Sequence, residues 1–135
     1  MDRRYFLITA TAAAVLPAAA FAELDYQPGM VARLLGEGKT VFIDFAADWC
    51  STCKAQERRI QALKAANPAY AENITFVRVD WDQHGRGDLV QQLNVPRRST
   101  LVVLKGNQEL GRVVSNTSQA VIQNLMDTAL AAATT

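Results

Sequence analysis

Hydrophobic and polar positions first form a clear pattern between Thr40 and Ala47. The segment "TVFIDFAA" is a continuous apolar, β-branched and aromatic run that only Asp44 interrupts. Such a run is typical of a strand that is buried on both faces, in the middle of a sheet. Just before it, "MVARLLGEGK" has apolar residues at helical spacing followed by two glycines, which predicts a short helix that ends there.

Helical and alternating patterns continue along the rest of the chain. Apolar residues recur at three- and four-residue steps from Ser51 to Ala66, so a helix is predicted, and Asn67-Pro68 ends or kinks it. The segment "ITFVRVDWD" alternates as a strand, and "GDLVQQLN" predicts another short helix. Finally, "TLVVLKGNQELGRVVS" predicts a hairpin of two strands, and "SQAVIQNLMDTALAAA" predicts a closing amphipathic helix.

The order of these elements predicts one domain of the mixed α/β class. The order is helix, strand, helix, strand, helix, strand, strand, helix. The first two strands are linked through a helix and should be parallel, whereas the hairpin strands should be antiparallel, so the central sheet is mixed and flanked by helices. A chain of 135 residues with 50% hydrophobic content has room for one sizeable core.

The first 22 residues differ in character from the rest. The segment "MDRRYFLITATAAAVLPAAAFA" has a charged start, an alanine- and leucine-rich middle and a small-x-small ending, which is the pattern of a removable secretory signal. Arg3-Arg4 followed by "YFL" is similar to a twin-arginine export signal. We therefore expect cleavage after Ala22, a mature domain at residues 23–135 and a periplasmic location. A retained membrane tether is the alternative.

The charge balance argues against some partner classes. The formal net charge is +1, and removal of the leader leaves the mature chain formally neutral. Nucleic-acid and membrane-surface binding need a clustered basic excess, so neither is expected. We also expect a monomer.

The candidate chemistry lies in "FAADWCSTCKAQER", which contains both cysteines of the chain, Cys50 and Cys53. Cys-x-x-Cys at the start of a helix places two sulfurs one turn apart. We expect Cys50 to be the exposed thiol, with a pKa lowered by the N-terminal end of the helix, and Cys53 to be the shielded, resolving thiol. Such a pair can exchange disulfides with a partner protein in either direction, without a cofactor.

Two other uses of the cysteines remain open at this point. A structural disulfide is disfavoured because so short a loop constrains the unfolded chain little. Structural zinc needs four ligands, and His84 and three methionines are the only other nitrogen or sulfur candidates, so no metal site is predicted. A carrier that holds Cu(I) between the two thiolates is the alternative from another functional class, and a redox-inactive interaction module is a third.

The segment "VFIDFAADWCSTCK" resembles the thioredoxin superfamily, in which Trp-Cys-x-x-Cys-Lys follows a buried strand. The order of elements agrees with that fold over nearly the whole mature chain. Within the superfamily, "ADWCSTCK" most resembles the C-terminal thioredoxin domain of DsbD-type periplasmic reductant transporters and related periplasmic thioredoxins. The resemblance implies a thiol-disulfide oxidoreductase that acts on protein dithiols and disulfides.

The resemblance also assigns expected roles to other residues. Asp44, six residues before Cys50, matches a buried carboxylate that relays a proton to or from the resolving cysteine. A buried Asp should be neutral or paired, and Arg78 is the candidate partner. Trp49 matches the tryptophan before the first cysteine and either packs or contacts partners. Lys54 is expected to lie on the helix surface or to tune the thiolate.

One position departs from the family pattern. A cis-proline usually precedes the Thr-apolar strand, but in "NVPRRSTLVVL" that position is Ser99, and Pro96 lies three residues too early. A cis bond before serine costs ~3 kcal/mol, so the Arg98–Ser99 bond should be trans and the loop shape should differ. The Ser99 hydroxyl should reach a thiolate. Arg97 and Arg98 flank this loop as solvated charges or as a guide for acidic partners.

The sequence as a whole predicts a periplasmic reductase of protein disulfides. The two residues between the cysteines are Ser51 and Thr52, and neither is the histidine that stabilises the thiolate in DsbA-like oxidants. The resemblance is also to reductants. We therefore expect a membrane reductant transporter as the electron donor, with cytochrome c maturation or repair of protein thiols as outlets. An oxidant is the alternative, because hydroxyl groups that stabilise the thiolate would raise the reduction potential.

Overall fold

A five-stranded mixed sheet with helices on both faces forms the domain in the computed structural model, which describes residues 23–135. The predicted leader at 1–22 lies outside the described residues. The strands are β1 (Leu24–Asp25), β2 (Thr40–Ala46), β3 (Thr75–Asp80), β4 (Thr100–Lys105) and β5 (Gln108–Val114). The helices are α1 (Met30–Gly36), α2 (Ser51–Ala66), α3 (Ala69–Asn73), α4 (Trp81–His84), α5 (Asp88–Leu93) and α6 (Gln119–Ala133).

The sheet topology confirms the predicted mixed arrangement. The strand order is β1-β3-β2-β4-β5, with β2 at the centre. β2 pairs in parallel with β3, whereas it pairs antiparallel with β4, and β4 and β5 form the predicted antiparallel hairpin. This is the thioredoxin fold as a single domain, as the sequence predicted.

The two faces of the sheet carry separate hydrophobic clusters, because side chains alternate along each strand. Phe42 of β2 packs with residues of α2, α3 and α6 on one face. Val41, Ile43 and Phe45 pack with residues of α1 and α5 on the other face. By the same alternation Asp44 lies on the Phe42 side, towards α2, which is the helix that begins at the two cysteines.

Three short elements were not predicted. β1 is two residues long and pairs with β3 at the edge of the sheet, so it leaves no hydrophobic pattern in the sequence. α3 follows Pro68 because the Asn67 side chain accepts a hydrogen bond from the backbone N–H of Ala69 at 3.1 Å and restarts the helix. α4 begins where the Asp80 carboxylate accepts from the N–H of Asp82 at 3.2 Å. Among residues 23–135, no helix is long and apolar enough to cross a membrane.

Candidate active site

The two cysteines lie at the N-terminal end of α2, directly after the central strand. Cys50 is the N-cap residue of α2, and its Sγ accepts a hydrogen bond from the backbone N–H of Cys53 at 3.1 Å. Both residues are free thiols. The helix therefore supplies a backbone donor to the first sulfur, as expected for a thiolate at a helix N-terminus.

The prediction that Cys50 is exposed was wrong. Its exposed fraction is 3%, almost the same as the 2% of Cys53. Cys50 packs in a small cluster with Ala46, Ala47 and Cys53, and Trp81 packs against that cluster from α4. The Ser99 side chain also lies against both sulfurs. Cys50 is therefore covered about as fully as Cys53.

The two sulfurs nevertheless differ in acidity, as predicted. Burial by itself would raise the pKa of Cys50, but hydrogen bonds from the Cys53 thiol, the Ser99 hydroxyl and the Cys53 N–H, together with Arg98, lower it to about 7. Burial raises the pKa of Cys53, and its hydrogen bond to Cys50 raises it further. The first sulfur is thus the better nucleophile near neutral pH and the second keeps its proton longer.

Ser99 occupies the centre of the site. Its Oγ lies 3.3 Å from the Sγ of Cys50 and 3.3 Å from the Sγ of Cys53, and the residue is fully buried. No cis peptide bond occurs within residues 23–135, so the Arg98–Ser99 bond is trans, as predicted. The Ser99 φ is 62°, in the left-handed region that is uncommon for residues other than glycine.

Backbone hydrogen bonds hold Ser99 in that conformation. Its N–H donates to the carbonyl oxygen of Phe45 at 2.8 Å. Its own carbonyl oxygen accepts from the backbone N–H of Ser115 at 2.8 Å and from Nε2 of the buried Gln56 at 3.0 Å. A proline has no N–H and cannot adopt this φ, so proline could not replace Ser99 in this loop conformation.

Asp44 is buried beside this site, with an exposed fraction of 2%. Its Oδ1 has no hydrogen-bond partner among the described residues. Burial raises the pKa of Asp44 well above its usual value, and the nearby carboxylates of Glu23 and Glu57 add to the effect. The carboxyl group is therefore able to hold a proton under conditions in which an exposed Asp is ionised.

Arg78 is not the partner of Asp44 that the sequence suggested. The two residues are paired across β2 and β3, so their backbones are neighbours. The Arg78 side chain instead forms an ion pair with Asp48, at 2.9 Å from NH2 to Oδ1. Arginine is long enough to reach this exposed carboxylate, where both charges keep contact with water, so the guanidinium avoids the cost of burial.

Lys64 is a buried charge near Asp44 that the sequence analysis missed. It is 2% exposed, and its Nζ lies 3.7 Å from the centroid of the Phe76 ring. Burial lowers the pKa of Lys64, while the nearby carboxylates of Glu23, Glu57 and Asp44 oppose this change. The signal was available, because Lys64 stands four residues after the buried Ile60 on the same stripe of α2.

Trp49 is the exposed member of the site, with an exposed fraction of 58%. Its Nε1 donates to both carboxylate oxygens of Asp82 at 3.0 Å, and the guanidinium carbon of Arg98 lies 4.4 Å from its ring centroid. Arg98 thus stacks on the Trp49 ring, and it also lowers the pKa of Cys50. The sequence showed no pairing for Asp82 or Arg98, because these contacts join distant segments.

Lys54, the remaining predicted residue, is exposed on α2 and takes part in no side-chain hydrogen bond or ion pair among residues 23–135. The structure therefore places it on the helix surface. In the same part of the chain, no group of three or more His, Cys, Asp or Glu residues is arranged to hold a metal ion.

Comparison with known proteins gives one consistent answer. The sequence model of the thioredoxin family, described as "Thioredoxin", matches residues 29–128. A thioredoxin of Echinococcus granulosus is 32% identical over 88 residues, which are 65% of this chain and 76% of that protein. Thioredoxin H5 of Oryza sativa subsp. japonica is 34% identical over 77 residues, 57% of this chain and 53% of that protein.

A solved structure agrees with these sequence matches. The crystal structure of Trxlp from Edwardsiella tarda EIB202 superimposes with a TM-score of 0.68 at 28% identity, covering 78% of this chain and 98% of that one. The fold, the family match and the Cys50–Cys53 motif at the start of α2 support the same class of enzyme. This chain belongs to the thioredoxin family and is a thioredoxin-like thiol-disulfide oxidoreductase.

Proposed function

We propose that this chain is an exported reductase of protein disulfides, with Cys50 as the nucleophile, Cys53 as the resolving thiol and Asp44 as the proton relay. The observation that carries the proposal is the contrast between the two sulfurs. The pKa of Cys50 is lowered to about 7, whereas that of Cys53 is raised by burial. A reactive thiolate beside a protonated thiol is the starting state that reduction of a disulfide requires.

The proposed reaction has two exchange steps. The Cys50 thiolate attacks one sulfur of the partner's disulfide, forms a mixed disulfide and releases the other partner sulfur as a thiolate. Cys53 then loses its proton and attacks the Cys50 sulfur. This step forms the Cys50–Cys53 disulfide, and the second partner sulfur leaves as a thiol after taking up a proton. Two electrons pass from the cysteine pair to the partner.

Asp44 is suited to the proton transfer in the second step. Its buried carboxyl group has a raised pKa, so it exchanges a proton at a pH closer to neutrality than an ordinary Asp does. The orphaned Oδ1 leaves one acceptor position of that carboxyl group free among the described residues. We place Asp44 as the group that takes the proton from Cys53 and returns it when the cycle reverses.

The reductive direction is supported by the acidity of Cys50. Thioredoxin, a reductant, has a nucleophilic cysteine with a pKa of about 7, whereas the oxidant DsbA stabilises its thiolate to a pKa of about 3.5. The pKa of about 7 for Cys50 is at the reductant end of this range. A modestly stabilised thiolate corresponds to a lower reduction potential.

The location and the electron donor belong to the same proposal. The leader at 1–22 and its Arg3-Arg4 pair support export through the twin-arginine route to the periplasm. The similarity of "ADWCSTCK" to DsbD-type domains supports re-reduction by a membrane reductant transporter, with protein thiol repair or cytochrome c maturation as outlets. The Cys53→Ser variant, expressed with its leader, should be recovered from cells as a mixed disulfide with a membrane protein.

The direct test is insulin reduction by the purified mature chain, with dithiothreitol as the reductant. The wild type and the exposed α2 variant Arg58→Ala should accelerate precipitation of insulin chains, and Cys50→Ser should not. Cys53→Ser should accumulate a mixed disulfide that mass spectrometry detects. A wild type without reductase activity would contradict the proposal, and stoichiometric copper in the same preparation would favour the carrier function.

A further inference from the structure

Three features of the domain have no role in the two exchange steps above: Ser99, the buried Lys64 and the Arg98–Trp49–Asp82 cluster. Of these, Ser99 is in direct contact with both reacting atoms. Its Oγ lies 3.3 Å from the Sγ of Cys50 and 3.3 Å from the Sγ of Cys53. A hydroxyl group has one proton to donate and can rotate to direct it at either neighbour.

We propose that Ser99 is a further catalytic residue, whose hydroxyl donates first to the Cys50 thiolate and then, once Cys50 is in the mixed disulfide, to the Cys53 thiolate. The proposal rests on the proposed function. A thiolate can only accept a hydrogen bond, so the hydroxyl must be the donor to whichever sulfur is charged. Hydrogen bonds to ionised groups are the stronger ones.

The electrons and protons balance without any added reagent. In the first step the Ser99 hydroxyl gives up its charged acceptor, because the Cys50 sulfur becomes part of a neutral mixed disulfide. The hydroxyl then rotates to Cys53, while the Cys53 proton leaves through the carboxyl group of Asp44. Ser99 neither gains nor loses a proton overall, and its part is to stabilise each negative sulfur in turn.

The second sulfur should depend on Ser99 more than the first. The Sγ of Cys50 also accepts a hydrogen bond from the backbone N–H of Cys53 at 3.1 Å. The Sγ of Cys53 lies 3.3 Å from the Ser99 Oγ, and hydrogen bonds from Ser99 and the backbone of Ala47 lower its pKa. Loss of the hydroxyl therefore leaves Cys50 with the N–H of Cys53 as a donor, whereas Cys53 loses its one side-chain hydroxyl donor among residues 23–135.

The buried, strained position of Ser99 agrees with a functional role. A φ of 62° at a serine costs more than at a glycine, and such conformations are concentrated at functional sites. Glycine at position 99 would relieve the backbone and keep the N–H bond to Phe45, yet it would remove the hydroxyl. Ser99→Gly and Ser99→Ala together thus separate the effect of the hydroxyl from the effect of the backbone.

Ser115 provides the matched control. It has a φ of 58° and a buried hydroxyl without a hydrogen-bond partner among the described residues. Its backbone N–H, which glycine retains, donates to the carbonyl oxygen of Ser99. Ser115→Gly therefore removes a buried hydroxyl from another left-handed serine in the same region, without removing a hydroxyl from either sulfur.

Stopped-flow reaction of the reduced chain with Ellman's reagent separates the two steps. Each step releases one coloured thiolate; the first rate grows with reagent concentration and the second does not. We expect the second rate to fall about tenfold in both Ser99→Gly and Ser99→Ala, equivalent to ~1.4 kcal/mol and close to the value of one hydrogen bond to a charged group. The first rate should fall less than about threefold, and Ser115→Gly should match the wild type.

A second readout tests the hydroxyl itself. In a chain that carries Cys50→Ser, the Cys53 thiolate absorbance should appear at higher pH when Ser99→Gly is added, while Asp44 and Arg98 are left unchanged. A merely structural role would leave this titration where it is. Circular dichroism establishes that each variant is folded.

The outcomes separate this proposal from the proposed function. A second rate that is unchanged in the folded Ser99 variants, or a loss seen with Ser99→Ala but not with Ser99→Gly, would overturn the role of the hydroxyl while insulin reduction stands. Conversely, a wild type that completes both steps with Ellman's reagent but does not reduce insulin would overturn the proposed function, and the dependence on Ser99 would remain.

Discussion

Removal of the Asp44 carboxyl group should change how the stability of the protein depends on pH. Burial raises the pKa of Asp44 well above the ordinary 3.8, so the folded chain keeps a proton that the unfolded chain has already lost. The native state then binds more protons than the unfolded state, and the free energy of unfolding falls as pH rises. Stability from this group is fully present below the unfolded pKa and is lost as pH rises through the folded one.

The size of the effect follows from the linkage relation. One extra proton in the native state corresponds to ~1.4 kcal/mol for every pH unit between the unfolded and the folded pKa. The Asp44→Ala variant lacks this contribution. As pH increases from the unfolded to the folded pKa of Asp44, the free energy of unfolding of the variant should therefore rise relative to that of the wild type by ~1.4 kcal/mol per pH unit. Above the folded pKa the difference should be constant.

Urea unfolding at a series of pH values from 4 to 9 measures this difference. Asp48→Ala is the control, because the side chain of Asp48 is 96% exposed and folding does not remove it from water. Asp44→Ala should show a flatter pH profile than both the wild type and the control. Parallel profiles for Asp44→Ala and the wild type would show that Asp44 is not a buried group with a raised pKa.

Three further predictions concern the loop, the tryptophan cluster and the leader. Ser99→Pro should lower the free energy of unfolding, measured in urea, by about 2 kcal/mol. Proline cannot adopt a φ of 62°, and without an N–H it leaves the carbonyl oxygen of Phe45 unpaired. A variant more stable than the wild type would contradict this prediction. Arg98→Ala should move thiolate formation at the nucleophilic cysteine to higher pH, as followed by its rate of alkylation, whereas Arg97→Ala, its exposed neighbour, should not; equal effects would exclude a specific contact. Replacement of Arg3 and Arg4 by lysine should retain the full chain in the cytoplasm of the expressing cell, and unchanged delivery to the periplasm would exclude the twin-arginine route.

The fold could be predicted from the sequence because hydrophobic periodicity reports burial directly. The continuous apolar run predicts the buried strand β2, the apolar stripe predicts helix α2, and both cysteines lie where α2 begins. The position of Cys50 and Cys53 at the start of a helix followed from the same order of elements, whereas that of Ser99 beside them followed from the resemblance to the thioredoxin superfamily. Short elements such as β1 and α3 could not be predicted, because a few residues do not establish a period.

Side-chain partners were the part that the sequence could not provide. Arg78 and Asp44 are paired in the strand register, yet the Arg78 guanidinium forms its ion pair with the exposed Asp48. Which carboxylate it pairs with depends on the cost of burying the charges and on the length of the side chain. Burial of Cys50 likewise depends on Trp81 and Ser99, which come from distant segments. Sequence spacing predicts which backbone segments lie close together. It does not predict which partners the long side chains on those segments contact.

The most direct test of the central claim is the reduction potential of the Cys50–Cys53 pair, measured against a dithiothreitol or glutathione series. A reductase with a Cys50 pKa of about 7 should have a potential near that of thioredoxin, ~−270 mV. A potential near that of DsbA, ~−120 mV, would identify an oxidant and contradict the proposed direction. The absence of a reversible two-electron couple would contradict the exchange mechanism itself.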